Sequence, residues 1–245
     1  MVKDIIDASK WQRPIYFATS ASDDGKIGLQ DYFRLEGLAY LLTPIKYNYE
    51  NQIDAPFVWA SISKDSVVPS KEPQVGYMWR NLDNPNVYFG EQDRRMIVNY
   101  RNAFLRLAIY YNSIGDKEKL FETLQLMEKR MPRKIFPIMW QLQSDVATLY
   151  YKSGHMDEFK EYSGEVEQKA WQMINAGEGN PTQYYNPWRV LIELYQIQNN
   201  LEGQLKVLRT LSPLYPNDTG LQQRIQQLQA QLGAQSQQRP DTAKK

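Results

Sequence analysis

The stretch Arg101–Pro132, RNAFLRLAIYYNSIGDKEKLFETLQLMEKRMP, constrains this chain more than any other, because it reads as two amphipathic helices joined by a turn at Gly115–Asp116. Phe104, Leu107, Ala108 and Tyr111 recur at the spacing of one helix face, and Leu120, Leu124 and Met127 repeat the pattern after the turn. Lys117, Glu118, Glu122, Glu128 and Lys129 mark the opposite face as solvated. Ala108 and Gly115 are small enough for close approach and chain reversal, and Pro132 cannot continue the second helix. A lone hairpin of this kind cannot bury its apolar face, so it predicts packed neighbours.

The same pattern returns twice. Placing Gly154 on Gly115 sets Val146, Ala147 and Tyr150 on Leu107, Ala108 and Tyr111, with Phe159 and Val166 on Leu120 and Met127. Placing Asn199 on Gly115 sets Trp188, Leu191 and Tyr195 on Phe104, Leu107 and Tyr111, with Leu208, Leu211 and Pro216 on Leu124, Met127 and Pro132. Arg133–Pro137 and the Gly/Pro/Asn-rich Ala176–Pro187 read as longer connections between copies. A large apolar residue, then Leu, a small residue, Tyr, a turn Gly and a closing Pro resembles the tetratricopeptide repeat, in three degenerate copies over residues 101–216. The middle copy departs, with Gln143 at a large apolar position and no closing Pro, and its second helix is expected to reach Ile174. A different helix-hairpin solenoid obeys the same packing logic. Leu221, Ile225, Leu228 and Leu232 predict a terminal capping helix opened by Asp218 or Thr219.

The segment before the repeats is less regular. Val2–Ser9 predicts a short helix and Ile15–Thr19 a short strand, while Ser20–Gly25 (SASDDG) is a turn by its composition. Gly28–Pro44 is apolar and aromatic with mixed periodicity, compatible with helix or strand. Residues 45–90 are rich in Pro, Asn, Asp and aromatics, with one short strand expected at Val58–Ile62. The expected fold is therefore mainly α: an irregular, aromatic-rich segment with a few short strands over 1–91, a tetratricopeptide-like helical-hairpin solenoid over 92–232, and a disordered tail over 233–245.

Composition narrows function mostly by exclusion. The 245 residues carry 29 basic and 28 acidic side chains, without the basic excess of a dedicated nucleic-acid binder. There is no cysteine, which removes disulfides and thiolate metal sites. No apolar run approaches the length of a membrane span, and MVKDIIDASKWQRP lacks the apolar core of a secretory signal. Walker, dinucleotide-binding, zincin and serine-hydrolase motifs are absent. The single histidine, His155, reads as a solvated turn residue, and the cluster Arg94, Arg95, Arg101 and Arg106 reads as helix-face solvation and interdomain pairing in preference to an anion or phosphate site. Asp54, Asp65, Glu72 and Asp83 in the aromatic segment have no histidine or cysteine to partner them, so an enzyme site there is the weakest reading. No catalytic residue, cofactor or metal is expected. Asn217-Asp218-Thr219 is a formal N-glycosylation triplet, and Asp65-Ser66-Val67 and Asp241-Thr242-Ala243 resemble short acceptor sites of bacterial periplasmic O-glycosylation.

KWQRPIYFA (10–18), GLQDYFRLEGLAYLLTP (28–44) and the NPNVYF…RRMIVNYRNAFLRLA run (84–108) carry a second resemblance. They are similar to the C-terminal part of a family of large multi-spanning bacterial membrane proteins of unknown function, related to protein O-mannosyltransferase-type glycosyltransferases. The resemblance implies a membrane-embedded catalytic region elsewhere and a soluble, extracytoplasmic tail here, on the periplasmic side of the inner membrane. It transfers no catalytic residue. Two functions follow from different premises: a non-catalytic interaction module of such a protein, or an independent cytoplasmic scaffold of the same fold.

In tetratricopeptide arrays the first helix of each hairpin lines the concave face. By register this face is Asn102, Leu105, Ile109 and Asn112, then Gln141, Ser144, Thr148 and Tyr151, then Asn186, Arg189, Glu193 and Gln196. Leu105 and Ile109 predict that residues 28–90 cover the first copy, since exposed apolar patches call for a partner. The expected partner-binding residues are accordingly Thr148, Tyr151, Arg189, Glu193 and Gln196, for a protein or peptide partner or for the membrane region of the parent chain.

Overall fold

The structure, a computed structural model, describes residues 2–65, 67–72 and 74–237. Ser66 and Asp241-Thr242-Ala243 of the O-glycosylation-like triplets lie outside the described residues. The described chain is mainly helical, with ten α-helices and one three-stranded antiparallel sheet. It divides into two compact units, residues up to 138 with 149–155, and residues 139–148 with those from 156 onward.

The first unit opens with α1 (Val2–Ser9), β1 (Tyr16–Ala18) and α2 (Asp23–Lys26), followed by β2 (Phe33–Glu36) and β3 (Ala39–Leu42). The strand order is β1-β3-β2, with Tyr16 opposite Leu41 and Phe33 opposite Leu42. Phe33 and Leu35 are buried while Arg34 and Glu36 are half-exposed, the period-two pattern of a one-faced sheet. The mixed periodicity of 28–44 thus resolves as a strand pair turning at Gly37, whose φ of 67° suits glycine. The expected turn at Ser20–Gly25 runs into the single helical turn α2, capped by the Ser22 hydroxyl.

Val58–Ile62 is not a strand but the middle of α3 (Ala55–Ser63). Asp54 caps it by accepting from the Phe57 N–H, and Pro56 sits in the first turn, where no amide hydrogen is needed. Val58, Ser61 and Ile62 form its buried face at helical spacing. Next come α4 (Glu91–Ser113) and α5 (Lys117–Arg130), the hairpin read from Arg101–Pro132. Phe104, Leu107, Ala108 and Leu124 are fully buried along their seam.

The basic cluster on α4 is solvated only in part: Arg94 and Arg95 are exposed, Arg106 is half-buried and Arg101 is buried. Arg101 is only 4% exposed and donates to the Phe136 carbonyl at 2.8 Å. Arg94 donates to the neighbouring Ile135 carbonyl at 2.7 Å, so the two arginines tie down the connection after α5. Arg106 lies 3.7 Å over the Tyr49 ring and donates to the Tyr49 carbonyl. Sequence spacing could not show these acceptors, because they are main-chain carbonyls tens of residues away. His155 is likewise half-buried rather than solvated. Its ring stacks parallel on Phe121 at 3.2 Å and its Nδ1 lies 3.0 Å from the Ser153 hydroxyl.

Helix α6 (Trp140–Ser153) belongs by residues 140–148 to the second unit and by 149–153 to the first. The second unit continues with α7 (Met156–Asn175), α8 (Pro187–Ile197), α9 (Leu201–Leu211) and α10 (Thr219–Gln237). Ala170, Trp188, Leu191, Tyr195 and Val207 form one core. Leu205, Leu208, Ile225 and Leu228 form a second between α9 and α10, with Leu221 and Leu232 packed against it. Asp218 caps α10 by accepting from the Leu221 N–H. The helix runs on through Gly233 to Gln237, into the residues expected to be a disordered tail.

Polar groups pin this unit internally. The Trp171 indole donates to the Tyr195 hydroxyl at 2.9 Å, and that hydroxyl donates to Glu167 at 2.5 Å. Burial and the Glu167 carboxylate push the Tyr195 phenol up to about 12. Gln143, the polar departure in the middle copy, is buried and donates to Glu165 at 2.6 Å.

The turns after α4, α6 and α8 are alike. Gly115, Gly154 and Asn199 have φ of 76°, 88° and 53°, the left-handed region. In each turn that residue's N–H reaches back three residues, to Asn112, Tyr151 and Gln196. The following N–H reaches back five, to the carbonyls of Tyr111, Tyr150 and Tyr195. This is the Schellman closure, which satisfies helix-end carbonyls while reversing the chain. The positions aligned from sequence therefore carry one repeated backbone motif.

Candidate functional site

The Gly/Pro/Asn-rich stretch after α7 is a wall rather than a spacer. The Asn186 side chain, only 6% exposed, donates to the carbonyls of Pro181 at 3.1 Å and Gln183 at 2.7 Å. Its oxygen accepts from the Arg189 N–H at 2.9 Å and so caps α8. One buried amide thus folds residues 181–184 onto the start of α8. Asn186, expected on the partner-binding face, serves as this pin.

Between that wall and the residues entering α10 lies an open cavity of about 730 Å³. Its apolar floor includes Trp188, Ile192 and Leu211, and Tyr215, Asp218 and Leu221 form the far side. Arg189, Glu193 and Gln196 of α8, a stripe at i, i+4 and i+7, line it together with Thr182, Gln183 and Tyr184. Three of the five expected partner-binding residues therefore share one concave surface within the second unit.

The remaining expected positions lie outside this lining. Thr148 is half-buried and its hydroxyl donates to the Ser144 carbonyl one turn back along α6. Tyr151 is exposed and belongs to the first unit. Ser144 and Leu105 are buried, Asn102 is exposed, and Ile109, Asn112 and Gln141 are half-buried. Leu105 lies on α4, against which α3 and the turn Tyr49–Asn51 pack.

The charges are arranged unevenly. Arg189 Nε donates to Glu193 at 2.9 Å, and the guanidinium sits 4.1 Å over the Tyr184 ring. Hydrogen bonding to Glu193 holds Arg189 above its ordinary value. Beside them, Asp145 of α6 accepts from the Tyr185 hydroxyl at 3.1 Å. Partial desolvation and the nearby Glu193 charge raise the Asp145 carboxyl, against the opposing effect of the Tyr185 bond. Trp188 is 6% exposed, and its buried indole N–H has no acceptor among the described residues. Sequence reasoning missed Asp145, Tyr184, Tyr185 and Tyr215. The available signal was the TQYYN run, too aromatic for a plain linker.

The groove offers an apolar floor, aromatic faces and hydrogen-bonding rims. Among the described residues no group of three or more His, Cys, Asp and Glu side chains converges to hold a metal. No described helix is long and apolar enough to cross a membrane.

Residues 1–57 match the family described as TMEM260-associated domain 2. The match covers the three-stranded sheet and the start of α3, and it contains two of the three segments that carried the resemblance to a glycosyltransferase-related family. The match lies in the N-terminal part of the chain and does not extend to the groove. No curated protein and no solved structure matches the chain.

Proposed function

We propose that this chain is a non-catalytic interaction module that binds an extended segment of a partner protein in the groove along α8. The observation that carries this is the convergence of Arg189, Glu193 and Gln196 on one open cavity with an apolar floor. Such a surface suits a peptide anchored by an apolar side chain and held by polar groups around it. The hairpins would act as tetratricopeptide-like repeats, a reading supported by the common turn closed on Tyr111, Tyr150 and Tyr195. The TMEM260-associated match supports placing the module in a membrane glycosyltransferase-like protein, as its extracytoplasmic C-terminal part (periplasmic in a bacterium).

The test is selection of peptides from a random phage-displayed library on the purified chain, followed by titration of synthetic copies. Gln196→Trp and Thr182→Trp place bulk on exposed lining positions and should weaken the selected peptides at least about tenfold. Circular dichroism melts check that both variants remain folded. Selected peptides that bind wild type and both variants equally would overturn the groove as the binding surface.

A further inference from the structure

We propose that the corner of the groove beside Asp145 and Glu193 takes the cationic side chain of a lysine or arginine in the bound peptide. This rests on the peptide-binding reading and adds the chemistry of the ligand.

Two observations converge. The first is a charge deficit. Glu193 and Asp218 line the groove against one lining cation, Arg189, and Asp145 joins the same corner through Tyr185, whose ring packs edge-on against the lining Tyr184. Arg189 is committed to Glu193, and the hydrogen bond to Asp145 comes from the neutral Tyr185 hydroxyl. Two carboxylates close enough to disfavour each other's charge are stabilised when a second cation enters.

The second is an aromatic face already used by a cation. Tyr184 carries the Arg189 guanidinium at 4.1 Å, yet Tyr184 is still 66% exposed. A ligand cation has the same ring quadrupole available to it. Arg189 thus occupies the place of a ligand side chain, supplied by the chain itself.

The probes are four fluorescein-labelled peptides with one sequence, Gly-Ser-Leu-Xaa-Leu-Ser-Gly, in which the central residue is Lys, Arg, Gln or Glu. Binding is read by anisotropy at low and high salt. The Lys and Arg peptides should bind about tenfold more tightly than the Gln peptide and lose that margin as salt rises. Glu193→Gln should remove most of the preference and Asp145→Asn part of it. Arg189→Ala should tighten the Lys peptide by freeing Glu193 and the Tyr184 face. Equal affinity for all four peptides, abolished by Gln196→Trp, would overturn the cation site while leaving the groove intact. A preference for the Glu peptide, lost in Arg189→Ala, would overturn it in favour of a carboxylate clamp. Failure of all four to bind would overturn the proposal together with the groove for ligands of this size.

Discussion

Gly203 of α9 lies against the ring of Tyr195 on α8 so closely that a β-carbon there would stand 2.8 Å from three ring carbons. The small residue and the large ring form one packing unit, and neither can be altered alone without cost.

Gly203→Ala should therefore destabilise the protein although alanine is the better helix former by about 1 kcal/mol. Overpacking against a buried ring is expected to outweigh that gain, for a net loss of about 1–2 kcal/mol. Gly164, on the exposed face of α7, would meet nothing within 4 Å. Gly164→Ala should stabilise by about 0.5–1 kcal/mol. Urea melts of the two variants should move in opposite directions.

Tyr195→Phe should cost about 1–3 kcal/mol, because it leaves the Trp171 N–H and the Glu167 carboxylate without their shared partner. The Tyr195 phenol is raised from 10.0 to about 12, so the native state holds its proton more tightly than the unfolded chain. That stabilisation is complete below the ordinary tyrosine value and is lost as pH rises through about 12. The stability gap between wild type and Tyr195→Phe should narrow over that alkaline range in urea melts.

The repeated turns and the core seams were legible in the sequence because both depend on local spacing. Turn positions 115, 154 and 199 and core residues such as Leu107, Val146 and Leu191 follow from helical periodicity and a residue that tolerates positive φ. What escaped depends on distant partners or on a short run. The five-residue run Val58–Ile62 is too short to separate strand from helix by period, and the deciding cap, Asp54, lies outside the run. Gln143 looks like a defect until Glu165, 22 residues on, is seen to accept its amide hydrogen. The groove escaped because its wall is a loop, held by two hydrogen bonds donated by Asn186, whose oxygen accepts a third that caps α8, and no periodicity encodes them.

The turns give a test of the shared motif. Gly154→Ala and Gly115→Ala should each cost about 1–2 kcal/mol, since both would force a β-carbon into the left-handed region. Asn199→Gly should stay within about 0.5 kcal/mol of wild type, because Asn already tolerates that conformation. Thermal melts that leave both alanine variants unchanged would mean that the turn backbone differs from the one described.

Leu107→Ala and Leu191→Ala empty fully buried positions and should each cost about 2–5 kcal/mol. The sites lie in different units, so the double variant should be additive within about 0.5 kcal/mol in denaturant melts.

Asp145→Asn probes the acidic corner. The Asp145 carboxyl is raised, so the folded state favours its protonated form. Relative to the unfolded chain, that favourable contribution is present below the ordinary value of 3.8 and lost as pH rises through the raised one. Asn, which stays neutral and can still accept from Tyr185, should match or exceed wild type in stability at neutral pH. The advantage should vanish in acid, as followed by chemical denaturation across pH.

The Tyr-to-turn closures have a consequence for the route of folding. Each helical turn is sealed by bonds reaching back three and five residues, whereas β1 finds its partner only when Tyr16 meets Leu41. Closure entropy grows with the length of chain enclosed, and folding slows as pairing becomes less local. The helix ends should acquire protection from hydrogen exchange early in refolding. The sheet that carries the TMEM260-associated match should become the slow, committed step of the first unit.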